Sequence, residues 1–374
     1  MKRKMSVFLF VVILGCAVFT GCSKDTKETA QENVKDSMVT ENSESETSTE
    51  TRTIKDMAGR TVEVPLQITK VYSSGQPGII MMHNINLDKL VGWCFELRDY
   101  EKKYLDAKYQ ELPVVGALQG KKGTVSKEEL LSYEPEIILS MGSIVDSSAE
   151  EADSLQQDLG IPVVVVDGDL KNLDKSYEFL GELLDEKEIT DQLAQYCRDT
   201  MEQVNKIVEK IPEKEKKRVY YAGGEKGLET GGVNSWHAEL IDYSGGINVA
   251  DFDAGSSRNE VSLEQVITWN PDVIVEAIYD DMIDGVFDSV EWQGIKAVKD
   301  GEIYSAPDEP YNWFDTPPSS NRLIGLKWMV SILYPEYNPF DMKQEVKDFY
   351  KLFYKVDLSD EEVEGFLNTK VTYQ

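Results

Sequence analysis

Short apolar runs alternate along this chain with longer stretches in which apolar residues recur every third or fourth position. Val163-Val164-Val165-Val166 is a continuous apolar run, the pattern of a strand covered on both faces. Similar runs at 71–73, 90–93, 114–116 and 137–140 predict four further strands, with helical spacing between them. Alternation of this kind argues for a mainly parallel sheet with helices on its faces. The longest helical stripe carries Ile189, Leu193, Cys197, Thr200, Val204, Ile207 and Ile211, and Pro212 ends it. From 187 to 211 it predicts a helix of about 37 Å at 1.5 Å per residue. The strand-and-helix pattern then restarts, with strands at 219–222, 273–277 and 303–306. Helices are predicted at 237–243, 263–269, 321–333 and 343–353. The division that follows is an N-terminal lobe over 53–186, a bridging helix over 187–212 and a C-terminal lobe over 213–374.

A short phrase occurs once in each lobe. Val125-Ser126-Lys127-Glu128-Glu129-Leu130-Leu131 leads to Glu134-Pro135-Glu136-Ile137-Ile138. Val261-Ser262-Leu263-Glu264-Gln265-Val266-Ile267 leads to Asn270-Pro271-Asp272-Val273-Ile274. Ser126 and Ser262 read as N-caps, completed by Glu129 and Gln265 three residues later, with a proline before the strand. This grammar leaves Glu128 and Glu264 unexplained at the second helical position. An acid there complements the helix dipole; a matched pair of surface acids, one per lobe, would also grip a basic partner. A repeat at this spacing indicates two similar lobes rather than a solenoid. Two-lobed proteins commonly hold a ligand between the lobes.

The first residues form a targeting segment. Lys2, Arg3 and Lys4 precede an apolar stretch from Ser6 to Phe19, then Phe19-Thr20-Gly21-Cys22. This resembles a bacterial lipoprotein cleavage site, with 1–21 as signal peptide and Cys22 as the lipidated residue. The apolar run is short for a spanning helix. Residues 22–52 are rich in Glu, Ser, Thr and Lys, too polar to fold, and read as a tether.

Composition narrows the function. The formal net charge is −29, with 68 acidic against 39 basic residues, which argues against a nucleic-acid partner. Of four cysteines, Cys94 and Cys197 lie beyond the leader and lack zinc spacing. The chain has no nucleophile elbow, no phosphate-cradling Gly-Lys-Ser/Thr loop and no His-Glu-x-x-His helix, so it does not read as an enzyme. Nothing in it calls for a resident cofactor.

The chain resembles the substrate-binding lipoproteins of bacterial ABC importers for iron–siderophore complexes, haem and vitamin B12. The resemblance rests on Ile54-Lys55-Asp56-Met57-Ala58-Gly59-Arg60-Thr61-Val62, Leu87-Asp88-Lys89-Leu90-Val91-Gly92-Trp93 and the two repeats. It continues in His237-Ala238-Glu239-Leu240-Ile241, Gly245-Gly246-Ile247-Asn248-Val249-Ala250 and Pro317-Pro318-Ser319-Ser320-Asn321-Arg322. It implies an α/β fold of two Rossmann-like lobes with mainly parallel sheets, joined by one long helix, with limited hinge motion. It also implies that Glu128 and Glu264 dock onto arginines of a dimeric permease. The expected protein is a monomer, lipid-anchored on the extracytoplasmic face. Its expected cargo is an iron chelate. The alternatives are a corrinoid, haem or molybdate-type oxyanion, or a surface sensory or adhesion role on the same scaffold.

Loops at the carboxyl ends of parallel strands face the cleft. In the first lobe they offer Ser74, Gln76, Trp93 and Phe95. In the second they offer Trp236, His237, Arg258, Tyr311 and Trp313. The aromatic residues predict an aromatic-lined cleft suited to a bulky ligand. His237 reads as a ligand or metal contact, or as helix-terminus packing. Tyr311 reads as a phenolate for ferric iron, or as a packed aromatic. Arg258 suits an anionic group, while Arg322 reads more as a brace for its own helix. His83 reads as a packing or helix-surface residue.

Overall fold

The computed structural model describes residues 50–118, 124–253, 255, 257–277 and 285–371. The leader, Cys22 and most of the proposed tether lie outside these, as do Gln119 and Tyr279 in the loops that follow the strands predicted at 114–116 and 273–277. The fold opens with an antiparallel pair, β1 (Thr51–Lys55) and β2 (Thr61–Pro65). Thr51 and Arg52, assigned to the tether from their polarity, belong to β1, where the Arg52 guanidinium donates to the Leu183 carbonyl at 2.6 Å.

The first lobe continues with β3 (Val71–Ser73), α1 (Gln76–Ile85), α2 (Asp99–Lys102), α3 (Ala107–Gln110) and α4 (Lys127–Ser132). It ends with β4 (Ile137–Gly142), α5 (Ser148–Leu159), β5 (Val163–Asp167) and α6 (Leu173–Leu184). Its sheet is parallel in the order β3-β4-β5. The strands expected at 90–93 and 114–116 are single parallel bridges, Val71 with Leu90 and Trp93 with Val114. Pro113 accepts from Trp93 N but has no N–H to return, so the pairing does not extend on that side.

The long helix α7 (Lys187–Val208) is about 33 Å long. Its buried stripe is Leu193, Ala194, Cys197, Val204 and Ile207 with Thr190 and Thr200. It stops short of Ile211, and two turn residues then lead to Pro212.

The second lobe holds β6 (Arg218–Ala222), β7 (Glu229–Gly231), α8 (Glu239–Tyr243), β8 (Ile247–Asn248), β9 (Arg258–Glu260), α9 (Leu263–Trp269), β10 (Val273–Glu276), α10 (Lys296–Asp300) and β11 (Ile303–Ser305). It closes with α11 (Arg322–Leu333), α12 (Met342–Tyr354) and α13 (Asp360–Leu367). The main sheet is parallel in the order β11-β10-β6-β8, and β7 pairs antiparallel with β9.

Strand periodicity sorts the core into three parts. Val71, Ile137, Leu139, Val164 and Val166 of one sheet, and Val219, Tyr221, Val273 and Val275 of the other, join one central cluster. Their neighbours along each strand form separate outer clusters, Tyr72, Ile138 and Val163 in one lobe and Tyr220 and Ile274 in the other. Helices α1, α6, α7, α11 and α12 contribute to the central cluster. Gly325 lets α11 press onto the Trp313 backbone, since a Cβ there would lie 2.0 Å from the Trp313 carbonyl oxygen.

The repeat is structural as well as sequential. Ser126 Oγ accepts from Glu129 N, and Ser262 Oγ accepts from Gln265 N in a complete capping box. Glu134 and Asn270 both adopt left-handed backbone, at φ 50° and 45°. The Glu136 carboxylate accepts Lys70 N at 2.9 Å, and that of Asp272 accepts Arg218 N at 3.0 Å. Each acid ties the start of an inner strand of its lobe to the approach of the neighbouring strand.

Candidate ligand site

The carboxyl ends of β3, β4 and β5 place Ser74, Gly142 and Gly168 together. Ser74 N donates to Leu139 O, and Gly168 N donates to Gly142 O. A hollow opens here, lined by Ser140, Met141, Gly142, Ser143 and Glu151 of the first lobe and Trp236 of the second. Ser143 Oγ donates to Asp169 at 2.6 Å. A Cβ on Gly168 would lie 2.8 Å from the Trp236 ring, so glycine is what lets that indole reach across. Ser74 Oγ is buried with no hydrogen-bond partner among the described residues.

Gln76 heads α1 and lines a narrow crevice with Ile79, Trp93, Cys94, Phe95 and Tyr311. Phe95 is half-buried, whereas Trp93 is almost wholly buried and its indole N–H donates to Tyr109 O at 2.9 Å.

The second lobe places a polar cluster beside Trp236, outside the lining of either hollow. His237 follows Trp236 in the turn before α8. Its Nδ1–H donates to Asp315 Oδ1 at 2.7 Å, a carboxylate buried completely. The other Asp315 oxygen accepts the Tyr221 hydroxyl at 2.6 Å. Arg258 donates to that hydroxyl at 3.3 Å and lies 4.0 Å from Asp315 and 3.8 Å from Glu229. Burial alone would raise the Asp315 pKa. His237, Arg258 and Tyr221 outweigh it and hold the carboxyl below its ordinary value. The Asp315 bond fixes the ring, and in neutral imidazole it leaves the Nε2 lone pair as the open valence.

Three expected ligand contacts are committed to the core: Trp93, Trp313 and Tyr311. Trp313 is fully buried, stacked on Phe366 with its indole N–H donating to Tyr350, so it does not wall the cleft. Tyr311 is not beside His237. Its hydroxyl lies 3.3 Å from Nδ1 of His83, whose Nε2 faces the Tyr104 carbonyl oxygen at 3.2 Å. A carbonyl only accepts, so Nε2 carries the proton and Nδ1 accepts from Tyr311. The Tyr311 ring packs against His83 and Tyr354, the place of a packed aromatic rather than of an iron ligand.

Arg322 is buried and spans the lobes. It donates to Ser319 O at 3.0 Å and Trp236 O at 3.1 Å on its own side, and to Gly168 O at 2.7 Å on the other. It also pairs with Glu239, whose carboxylate accepts Leu170 N of the first lobe at 3.0 Å. Burial raises the Glu239 pKa against the opposing pull of Arg322. Arg322 therefore clasps the lobes together, a larger role than bracing its own helix. The sequence offered no signal for Asp315 or Tyr221, and it placed Glu239 in a resembling stretch without a role, because their partners are brought together only by the tertiary fold.

Glu128 and Glu264 are exposed at the starts of α4 and α9. Among the described residues no group of His, Cys, Asp or Glu forms a metal cage. No helix there is long and apolar enough to cross a membrane.

Comparison with known proteins places this architecture. A family profile described as periplasmic binding protein matches residues 98–310. The molybdate-binding protein MolA of Haemophilus influenzae is 24% identical over 335 residues, covering 81% of this chain and 91% of that protein. A vitamin B12-binding protein of Vibrio parahaemolyticus is 26% identical over 241 residues, covering 63% and 80%. The solved structure of an ABC transporter solute binding protein from Sulfurospirillum deleyianum superposes with a TM-score of 0.76 at 30% identity, covering 84% of this chain and 98% of that one. With two parallel-sheet lobes meeting at a hollow, this chain belongs to the periplasmic binding protein family, as a solute-binding protein of the ABC-importer type.

Proposed function

We propose that this protein captures a metal chelate of the iron–siderophore class between its lobes and delivers it to an ABC importer. The observation that carries this reading is the His237–Asp315 pair. A buried carboxylate holding Nδ1 is the usual support of a histidine that offers Nε2 to a metal. Imidazole presented this way suits a metal centre with an open position and repels the oxygens of a bare oxyanion, unless the ring is protonated. His237 is then the one metal contact of the pair first considered, with Trp236, Gln76 and Phe95 as flanking surface and Arg258 beside it for an anionic chelator. The loss of Trp93 and Trp313 to the core reduces the apolar wall that a corrinoid or haem would need.

A molybdate-type oxyanion is the second reading. It is favoured by the serine-rich rim at Ser140, Ser143, Ser147 and Ser148 and by the likeness to MolA. Delivery would run from a lipid anchor at Cys22 on the extracytoplasmic face. Glu128 and Glu264 would meet arginines of a permease dimer, with the binding protein acting as a monomer.

A thermal-shift panel of ferric siderophores, haem, cobalamin, molybdate and tungstate tests the ligand. A ligand at 100 times its dissociation constant adds about 2.7 kcal/mol. Stabilisation by a ferric chelate that disappears in His237→Ala supports the first reading. Stabilisation by molybdate alone replaces it with the second.

A further inference from the structure

Among the described residues, seven large aliphatic side chains stand well out of the surface: Leu66, Val114, Leu131, Val145, Val233, Ile267 and Val290. Single exposed aliphatics are ordinary. Two of these are not independent, because Leu131 and Ile267 occupy the same place in the two copies of the repeat. They are 39% and 42% exposed. In each copy the residue one position earlier, Leu130 or Val266, is fully buried. From Glu128 to Ser132 and from Glu264 to Thr268 the order of exposed and buried positions is the same.

Each exposed aliphatic lies three residues after an exposed acid, Glu128 before Leu131 and Glu264 before Ile267. Residues three apart are neighbours on one helix face. The two short helices hold equivalent stations, each capped by serine and each leading through a left-handed residue and a proline into an inner strand of its sheet. Capping explains the serines and packing explains Leu130 and Val266. Neither requires an apolar side chain in solvent twice at the same register.

We infer that the importer is gripped through two matched patches, Glu128 with Leu131 and Glu264 with Ile267, and that its docking face carries a cation beside an apolar surface, twice. The inference rests on the docking reading above and adds to it the apolar half of each contact. Two equivalent patches on similar lobes fit a partner whose own two halves are equivalent, a two-fold dimer. The acids steer and orient the encounter. The aliphatic side chains, desolvated on contact, slow release.

The test uses the full-length anchored protein in its own cell. A photoreactive benzoylphenylalanine is placed at position 131, at 267, or at the control position 290, and adducts are identified by peptide mass. The expected result is one polytopic membrane subunit crosslinked from 131 and from 267, absent from 290, and lost when Glu128→Lys and Glu264→Lys are combined in the same chain. Leu131→Ser with Ile267→Ser should leave melting temperature and ligand affinity unchanged and weaken association with that subunit at least about tenfold. Adducts from one position only, adducts with unrelated proteins, or full association of the double serine variant would overturn the inference. If the double serine variant associates fully while the double lysine variant does not, the acids dock without the aliphatic pair. If neither variant alters association, the docking reading itself fails.

Discussion

Nδ1 of His237 stands 2.7 Å from the carboxylate of Asp315, and Asp315 has no exposure to solvent. The ring is oriented from behind, by a residue 78 positions further along the chain. Asp315 is positioned in turn by its own loop, where Asn312 Oδ1 accepts the N–H groups of Phe314 and Asp315. Asp315→Asn should therefore weaken capture of a ferric chelate by roughly 10- to 100-fold, the usual effect of losing a carboxylate behind a metal-bound histidine. Fluorescence titration of the purified variant measures this. Equal affinity in wild type and variant would remove His237 from the metal contact.

The clasp at Arg322 gives a second expectation. Arg322→Met leaves Glu239 buried without its cation, and breaking a buried pair costs about 3–5 kcal/mol. Urea denaturation should show that loss, and adding Glu239→Gln should restore part of it. Arg322→Lys should not restore full stability, since an ammonium does not reproduce a fork that reaches Gly168, Trp236 and Ser319 together.

His83 should make stability depend on acidity. Its burial, with Lys355 nearby, pushes its pKa from 6.5 down to about 3. The unfolded chain therefore takes up a proton between those values while the folded chain does not. The contribution of this residue to stability is complete above pH 6.5 and is lost as pH falls toward 3, at up to about 1.4 kcal/mol per unit. Comparing urea midpoints of wild type and His83→Asn from pH 7 to pH 4 isolates this slope from that of the carboxylates. The variant should show the shallower dependence. Parallel curves would count against a buried neutral imidazole.

The proposed anchor is checked at Cys22. Wild type should take up a palmitate analogue and partition with detergent, and Cys22→Ser should do neither. Labelling that persists in the variant would place the acyl chain on another residue.

Much of the architecture was legible because it depends on local rules. The run at Val163–Asp167 became a strand with every residue buried. Ser126 and Ser262 became caps, and the stripe through Leu193, Cys197 and Val204 became the buried face of α7. The site was less legible. An aromatic residue in a loop has the same composition whether it lines a cleft or fills the core, and only the fold distinguishes Trp236 from Trp313. Trp313 is buried because the chain between β11 and α11 turns under that helix, where Gly325 makes room for it. Asp315 was missed for a related reason. An acid between Phe314 and Thr316 carries no period, cap or motif, and its value comes from Tyr221, His237 and Arg258, all distant in sequence.

The central cluster of side chains belongs to neither half. Val164 from one sheet and Val275 from the other are parts of the same apolar mass, which α7, α11 and α12 also enter. Severing the polypeptide within α7 would strip each fragment of the surface that shields its inner sheet face. Neither half closes its core without the other, even though the chain reads as two similar paragraphs.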